Sequence, residues 1–262
     1  MDAPLPASPP EPPPVKRFFY LDALQALDDA KVPYLVGGGY AMAHYTGVPR
    51  PTKDLDIFVR PADRDRCLTT LTAAGYKTEF FYPFWISKAL HGESFIDILY
   101  SSGNGVCTVD DDWFEHAIDI DVHGYPAKLT PIEETMWSKA FVMDRDRFDG
   151  GDVLNLILCQ SNRIDWDRLI GRFAKHEPVL LAHLTLFGYV FPTDRDRVPA
   201  WAIDRLTELT RSYPVPNEKV CQGTFLAQRS YGAAVREWGY ADGRLRPHGP
   251  LTPEQLAQLP EP

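Results

Sequence analysis

The chain has 262 residues, of which 44% are hydrophobic and 24% are charged. This composition is typical of a globular protein and excludes collagen-like, wholly disordered and disulfide-dependent miniature chains. The 27 Lys and Arg residues against 36 Asp and Glu give a net charge of −9, which argues against a broad nucleic-acid surface but leaves room for a local basic groove.

The first predicted element is an amphipathic helix from Phe18 to Lys31, because its leucines recur at helical spacing. The other elements of the first half are a strand at 34–36, a helix at 40–45, a strand at 55–59, a helix at 64–74 and strands at 77–82, 84–90 and 94–100. From residue 130 the pattern is helical, with helices predicted at 131–144, 153–160, 165–173, 179–191, 200–213 and 219–238.

Strands followed by helices indicate an α+β protein with two parts. We predict an α/β domain at 16–126 and a helical region at 127–243, between proline-rich disordered tails at 1–15 and 244–262. The start of the chain lacks the pattern of a secretory signal, and the longest apolar stretch is shorter than the roughly 20 residues that cross a bilayer. We therefore expect a cytoplasmic protein with no membrane partner.

A glycine cluster joins the first predicted strand to the following helix. Gly37, Gly38 and Gly39 follow the strand directly, and without side chains they allow a ligand to approach the backbone closely. The helix behind them presents unsatisfied N–H groups and a partial positive charge, which favour phosphate. A phosphate-binding turn and a plain tight turn both remain compatible with this pattern.

Two acids open the next strand. Asp54 and Asp56 project from one face, with Cα atoms about 6.6 Å apart, and their charges repel by about 2.5 kcal/mol at an effective dielectric of about 20. Paired carboxylates at this cost favour divalent cations such as Mg²⁺ between them, although a solvated strand with two unrelated acids is the alternative. Asp97 lies within the apolar strand at 94–100 and needs a cation, hydrogen bonds or water. Together the three acids could hold two metal ions that align a triphosphate and an attacking hydroxyl.

The pattern Gly38-Gly39, Asp54-x-Asp56 and a later Asp97 resembles the nucleotidyltransferase superfamily of DNA polymerase β type, over roughly residues 18 to 160. The resemblance is closest to the minimal, antibiotic and abortive-infection branches. It implies a mixed sheet with flanking helices, followed by a helical region. Many members have Gly-Ser where this chain has Gly38-Gly39, so a serine hydroxyl for the phosphates is missing here.

The resemblance also implies roles for individual residues. Gly38 and Gly39 would bind the triphosphate of an NTP, and Asp54 and Asp56 would hold two Mg²⁺ ions. Asp97 would complete one metal site and help to deprotonate the acceptor hydroxyl. Nucleotide-binding residues are further predicted in the Arg-x-Thr-x-Asp approach to the acid pair and in a downstream helix: Arg50, Thr52 and Lys139.

The segment after Lys139 supports the same family. Asp149 would cap the next helix, and Asp152 would lie in its first turn. Alternatively, Asp152 simply favours a helix N-terminus, and Lys139 is a solvated helix lysine.

The predicted function is a Mg²⁺-dependent nucleotidyltransferase that moves an NMP from an NTP to a hydroxyl and releases pyrophosphate. A small hydroxylated molecule fits the acidic charge as acceptor. A toxin that modifies tRNA or another RNA is an alternative, because a basic groove could be formed by Arg163, Arg168, Arg172 and Lys175. Binding of a nucleotide or partner protein without catalysis is the third possibility.

Overall fold

The computed structural model describes residues 4–259, which divide into two compact units. The sheet unit comprises Pro4–Pro131, and the helical unit begins at Ile132. Residues 1–3 and 260–262, parts of the two predicted tails, lie outside the described residues.

The sheet unit is built on seven strands, in the spatial order β3-β4-β5-β2-β1-β7-β6. The strands are β1 Leu35–Val36, β2 Leu55–Phe58, β3 Lys77–Tyr82, β4 Ile86–His91, β5 Ser94–Leu99, β6 Ile118–Val122 and β7 Tyr125–Leu129. Its helices are α1 Pro14–Asp29, α2 Gly38–Thr46, α3 Arg64–Ala73 and α4 Asp111–Glu115. The sheet is mixed, because β2 and β5 run parallel, as do β1 and β7, while their other pairings are antiparallel. This confirms the predicted α+β class with a mixed sheet.

The core of the sheet unit contains one face of α1 and apolar residues of the strands. Phe19, Ala23 and Leu27 recur every four residues of α1, and each is fully buried. Leu55 and Ile57 are also fully buried on β2. Burial of alternate β2 residues fixes which face of this strand meets the core and which face presents Asp56.

The helical unit contains seven helices and a two-stranded sheet among its described residues. The helices are α5 Ile132–Ala140, α6 Gly150–Gln160, α7 Trp166–Phe173, α8 Glu177–Val190, α9 Ala200–Ser212, α10 Gln228–Arg236 and α11 Pro253–Leu256, and the strands are β8 Val220–Cys221 and β9 Ala241–Asp242. None of the helices in the described part of the chain has the length and apolar composition that a membrane crossing requires.

Two sequence predictions were wrong in detail. The predicted helix 219–238 is divided, because β8 pairs with β9 and only the later part is helical. No strands were predicted for β6 and β7, yet they pair with each other and β7 joins β1. The predicted boundary at 126/127 thus falls within β7, and the domain limits stay a prediction.

The proline-rich ends also differ from the predicted disordered tails. Residues 4–13 contain neither helix nor strand, but α1 already begins at Pro14. Toward the other end, Arg244 and Leu251 are buried, and α11 carries a capping box at Thr252. The region from 244 to 259 therefore belongs to the folded helical unit, because its apolar and charged side chains find partners there.

Candidate active site

The turn between β1 and α2 requires glycine at successive positions. Gly38 has a φ of +55°, and a Cβ placed there would lie 1.7 Å from the Asp56 Oδ2 atom. At Gly39 a Cβ would lie 3.0 Å from the Cβ of Thr52. The side chains of Asp56 and Thr52 thus occupy the space that glycine leaves, which brings the start of α2 against the acid-bearing strand.

The acid pair lies beside this turn. The Gly37 N–H donates to the Asp56 carbonyl at 3.0 Å, which fixes the turn to β2. The Thr52 hydroxyl contacts Oδ1 of Asp54 at 3.1 Å and the Asp54 carbonyl at 3.0 Å. Two carboxylates therefore stand next to the first turn of α2, whose initial N–H groups have no partner within a helix.

Asp97 meets this pair from the neighbouring strand. In the parallel ladder of β2 and β5, Asp56 is the register partner of Asp97, so their side chains share a face of the sheet. All three acids act on the pKa of the Tyr20 hydroxyl. Burial chiefly raises its pKa, Tyr40 raises it further, and so do the negative charges of Asp54, Asp56 and Asp97.

Lys88 is a residue of this site that the sequence interpretation missed. Its ammonium lies 2.5 Å from Asp97 Oδ1, and the two side chains are only 18% and 14% exposed. Burial raises the pKa of Asp97; Lys88 opposes this shift and Asp54 adds to it. A sequence signal existed, because a two-residue Gly92-Glu93 turn between β4 and β5 pairs position 88 with position 97.

The carboxylates match the oxygen ligands that a divalent cation prefers. Asp54 and Asp56, both half-buried at the glycine turn, fit such an ion by their chemistry and position. Asp97 fits less well, because Lys88 already neutralises it. Among residues 4–259, no group of three or more His, Cys, Asp or Glu side chains is arranged to hold one metal ion. Metal binding by the three acids therefore stays a prediction.

The remaining predicted nucleotide-binding residues lie in different surroundings. Arg50 is exposed in the loop before Thr52. Lys139 belongs to α5 of the helical unit, where its ammonium pairs with Asp152 at 2.7 Å and Asp149 at 3.3 Å. Asp149 does precede α6, with Asp152 in the first turn, but its side chain makes no cap. The roles of Arg50, Thr52 and Lys139 toward a nucleotide stay predictions.

Asp149 is held ionised by two cations. Burial by itself would raise its pKa, but Arg147 and Lys139 outweigh burial and hold the pKa below its ordinary value. The Arg147 guanidinium binds both carboxylate oxygens, at 3.0 and 2.9 Å. Lys139 is therefore part of a half-buried ion cluster, not a solvated surface lysine.

The basic groove considered for RNA does not form as expected. Arg168 and Arg172 are 12% and 10% exposed, and both bind the fully buried Glu134, while Arg168 also pairs with Glu133 at 2.6 Å. Their charges hold α5 and α7 together inside the helical unit. Two of the four basic residues are therefore unavailable to a nucleic acid.

Residues 20–130 match the family model of aminoglycoside-2''-adenylyltransferase. This segment contains the glycine turn, the acid pair and Asp97, in the geometry described above. The matched segment covers most of the sheet unit, and it supports a nucleotidyltransferase fold of the DNA polymerase β type there. The match supports the predicted superfamily and its antibiotic branch. No curated protein sequence matches the chain.

Three solved structures are similar to the chain at low identity. The solution structure of the antibiotic-resistance factor ANT(2'')-Ia is 16% identical, with a TM-score of 0.46 over 64% of this chain and 96% of the other. The lincosamide antibiotic adenylyltransferase LnuA, with lincomycin bound, is 20% identical, with a TM-score of 0.38 over 54% and 94%. An antigenic nucleotidyltransferase-like protein from Paracoccidioides brasiliensis is 17% identical, with a TM-score of 0.40 over 76% and 95%.

Proposed function

We propose that this protein transfers AMP from ATP to a hydroxyl group of a small molecule and releases pyrophosphate. The observation that carries the proposal is the contact of Asp56 with Gly38, because it brings a carboxylate against the first turn of α2, where we infer that the phosphates bind. The family whose model matches this segment supports an aminoglycoside as the first acceptor class to test.

Different residues of the sheet unit would have different roles in this reaction. The first N–H groups of α2 would bind the triphosphate and hold it in line for attack. Asp54 and Asp56 would bind Mg²⁺, which when present supplies positive charge to the phosphates. The acceptor oxygen forms a bond to the α-phosphorus, and the bond from that phosphorus to the bridging oxygen breaks as pyrophosphate leaves.

Asp97 would receive the proton of the acceptor hydroxyl. It lies next to Asp56 on the same face, and its burial favours the protonated form. Lys88, bound to Oδ1, fixes the orientation of this carboxylate. Thr52 orients Asp54 in the same way through Oδ1. These contacts position the reacting groups before substrate arrives.

The test is pyrophosphate release by Asp54→Asn and Asp56→Asn variants, with ATP, Mg²⁺ and a panel of aminoglycosides. Each variant should lose at least about a hundredfold in kcat, because a charge beside the reacting phosphates is removed. Asp119→Asn is the matched control, since this acid of the same unit is 87% exposed on an edge strand.

The outcomes separate the three candidate functions. Full activity in both variants contradicts the proposal, as does a failure of the wild-type protein to release pyrophosphate with any small hydroxylated acceptor. Release that depends on added tRNA instead would favour an RNA acceptor. Binding of ATP without turnover would favour a non-catalytic nucleotide-binding protein.

A further inference from the structure

A row of charged side chains crosses one face of the sheet. In the antiparallel ladders, Glu79 of β3 pairs with Lys88 of β4, and Lys88 pairs with Asp97 of β5. Asp97 pairs in turn with Asp56 of β2. Because register partners project from the same face, one lysine stands in line with the carboxylates of the candidate active site.

The Lys88 ammonium is enclosed on several sides. It lies 2.5 Å from Asp97 Oδ1, 4.1 Å from the centre of the Phe95 ring and 5.1 Å from the centre of the Phe81 ring. A cation held against a carboxylate and two ring faces has few alternative positions. Its removal would leave Asp97 as an uncompensated, half-buried charge, which is strongly unfavourable.

A divalent ion and an ammonium cannot share the Asp97 carboxylate easily. Two cations within a few ångströms of each other repel strongly where water is largely excluded. The side chains of Lys88 and Asp97 are less than one-fifth exposed, so solvent screens this repulsion little. Asp97 lies between Lys88 and Asp56 in this row, so the repulsion between the ammonium and a divalent ion is greatest at Asp97.

We propose that the Lys88 ammonium takes the place of a second divalent cation at Asp97, so that the protein with nucleotide holds a single divalent ion, at Asp54 and Asp56. The inference rests on the proposed function, since it concerns the same site. Lys88 then acts as a fixed positive charge beside the reacting groups.

The test counts metal ions by native mass spectrometry on the full chain. The probe is Mn²⁺ with adenosine 5'-(α,β-methylene)triphosphate, which cannot transfer its nucleotide. The wild-type complex should contain one Mn²⁺, and Lys88→Gln should contain two, because its neutral side chain frees Asp97. Lys88→Arg, which keeps the charge, and Lys77→Gln, a 74% exposed lysine on the neighbouring strand, should each retain one.

The double variant Lys88→Gln/Asp97→Asn should return to one ion, which assigns the gained ion to Asp97. Two Mn²⁺ ions in the wild-type complex overturn the inference even if Lys88→Gln fails to fold. One ion in a folded Lys88→Gln complex also overturns it. A wild-type chain that retains neither Mn²⁺ nor the analogue contradicts the proposed function itself, and this outcome is distinct from the other two.

Discussion

At Gly38 the backbone conformation and the neighbouring side chain both require glycine. Its φ of +55° disfavours any other residue, and Asp56 Oδ2 occupies the position of a Cβ. We expect Gly38→Ala to destabilise the protein by about 3 kcal/mol or more, because backbone strain adds to a displaced carboxylate. Urea unfolding measures the loss, and kcat should fall with it.

Gly92 provides the control for backbone strain alone. Its φ is +60°, close to that of Gly38, but nothing lies within 4 Å of a Cβ placed there. Gly92→Ala should therefore cost only about 1–2 kcal/mol. Equal losses of stability for the two variants would contradict the contact between Asp56 and Gly38.

His176 gives a pH dependence to the stability of the helical unit. Burial lowers the pKa of its imidazole to about 4, and the ring packs against Phe141 and Phe225. The unfolded chain, with a pKa of about 6.5 at this residue, binds the proton first, so stability falls as the pH drops from about 6.5 toward 4. His176 should account for about 2 kcal/mol of the loss in unfolding free energy between pH 7 and pH 5.

Urea unfolding of His176→Phe at pH 7 and pH 5 measures this contribution. The loss in unfolding free energy between the two pH values should be smaller than in the wild type by about 2 kcal/mol. Phe225→Leu is the control, because it alters packing beside His176 without removing the imidazole. It should lower stability at both pH values and leave the difference between them unchanged. An unaltered pH dependence in His176→Phe would show that His176 is not buried as described.

At the scale of elements, buried charges join α5 to α7. Glu134 is fully buried and accepts from Arg168 and Arg172, with the Arg172 Nε at 2.6 Å. Glu134→Gln should destabilise the protein by about 3–5 kcal/mol, because it removes the charge that two buried guanidinium groups share, although Arg168 keeps its pair with Glu133. Thermal or urea unfolding checks this value.

An exposed pair in the same unit supplies the comparison. Asp167 and Arg205 form an ion pair with side chains 70% and 48% exposed. Asp167→Asn should change stability by less than about 0.5 kcal/mol, because water screens such a pair. Similar losses for the Asp167 and Glu134 variants would contradict the buried position of Glu134.

Helices and strands that depend on the pattern of neighbouring residues could be predicted from the sequence. The helix at the start of the sheet unit follows from its buried leucine spacing, and β3 was predicted with its observed ends, Lys77–Tyr82. Strands that depend on distant partners were not. β6 is a five-residue edge strand whose one partner among residues 4–259 is β7. β8 consists of two residues, and its partner β9 lies about 20 residues away.

In the candidate site, too, residues in local patterns were predicted, and a residue that depends on strand pairing was not. Glycine at a strand–helix turn and two acids at alternate positions are local patterns. Gly38, Asp54 and Asp56 could therefore be proposed as site residues from the sequence alone. Lys88 was missed because its importance depends on the register of two strands. A lysine in an apolar strand looks unremarkable until the hairpin places it across from Asp97.

At the scale of the whole molecule, the net charge of −9 favours cationic acceptors. An aminoglycoside with several ammonium groups would be drawn to an acidic protein over distances of about 10 Å at 0.1 M salt. We expect kcat/KM for such an acceptor to fall several-fold between about 0.05 and 0.5 M KCl, as screening increases. Steady-state kinetics with a neutral hydroxylated acceptor, whose kcat/KM should stay nearly constant, gives the control.

The short turn at Gly92-Glu93 has a consequence for comparing relatives of this protein. Because His91 faces Ser94 across the turn, the residue nine places before the third carboxylate always lies opposite it while the turn keeps this length. Under the proposal for Lys88, the residue type at that one position predicts how many divalent ions a homologous protein binds. A residue inserted into the turn would change this spacing, so that the residue nine places earlier need no longer be the one opposite the carboxylate.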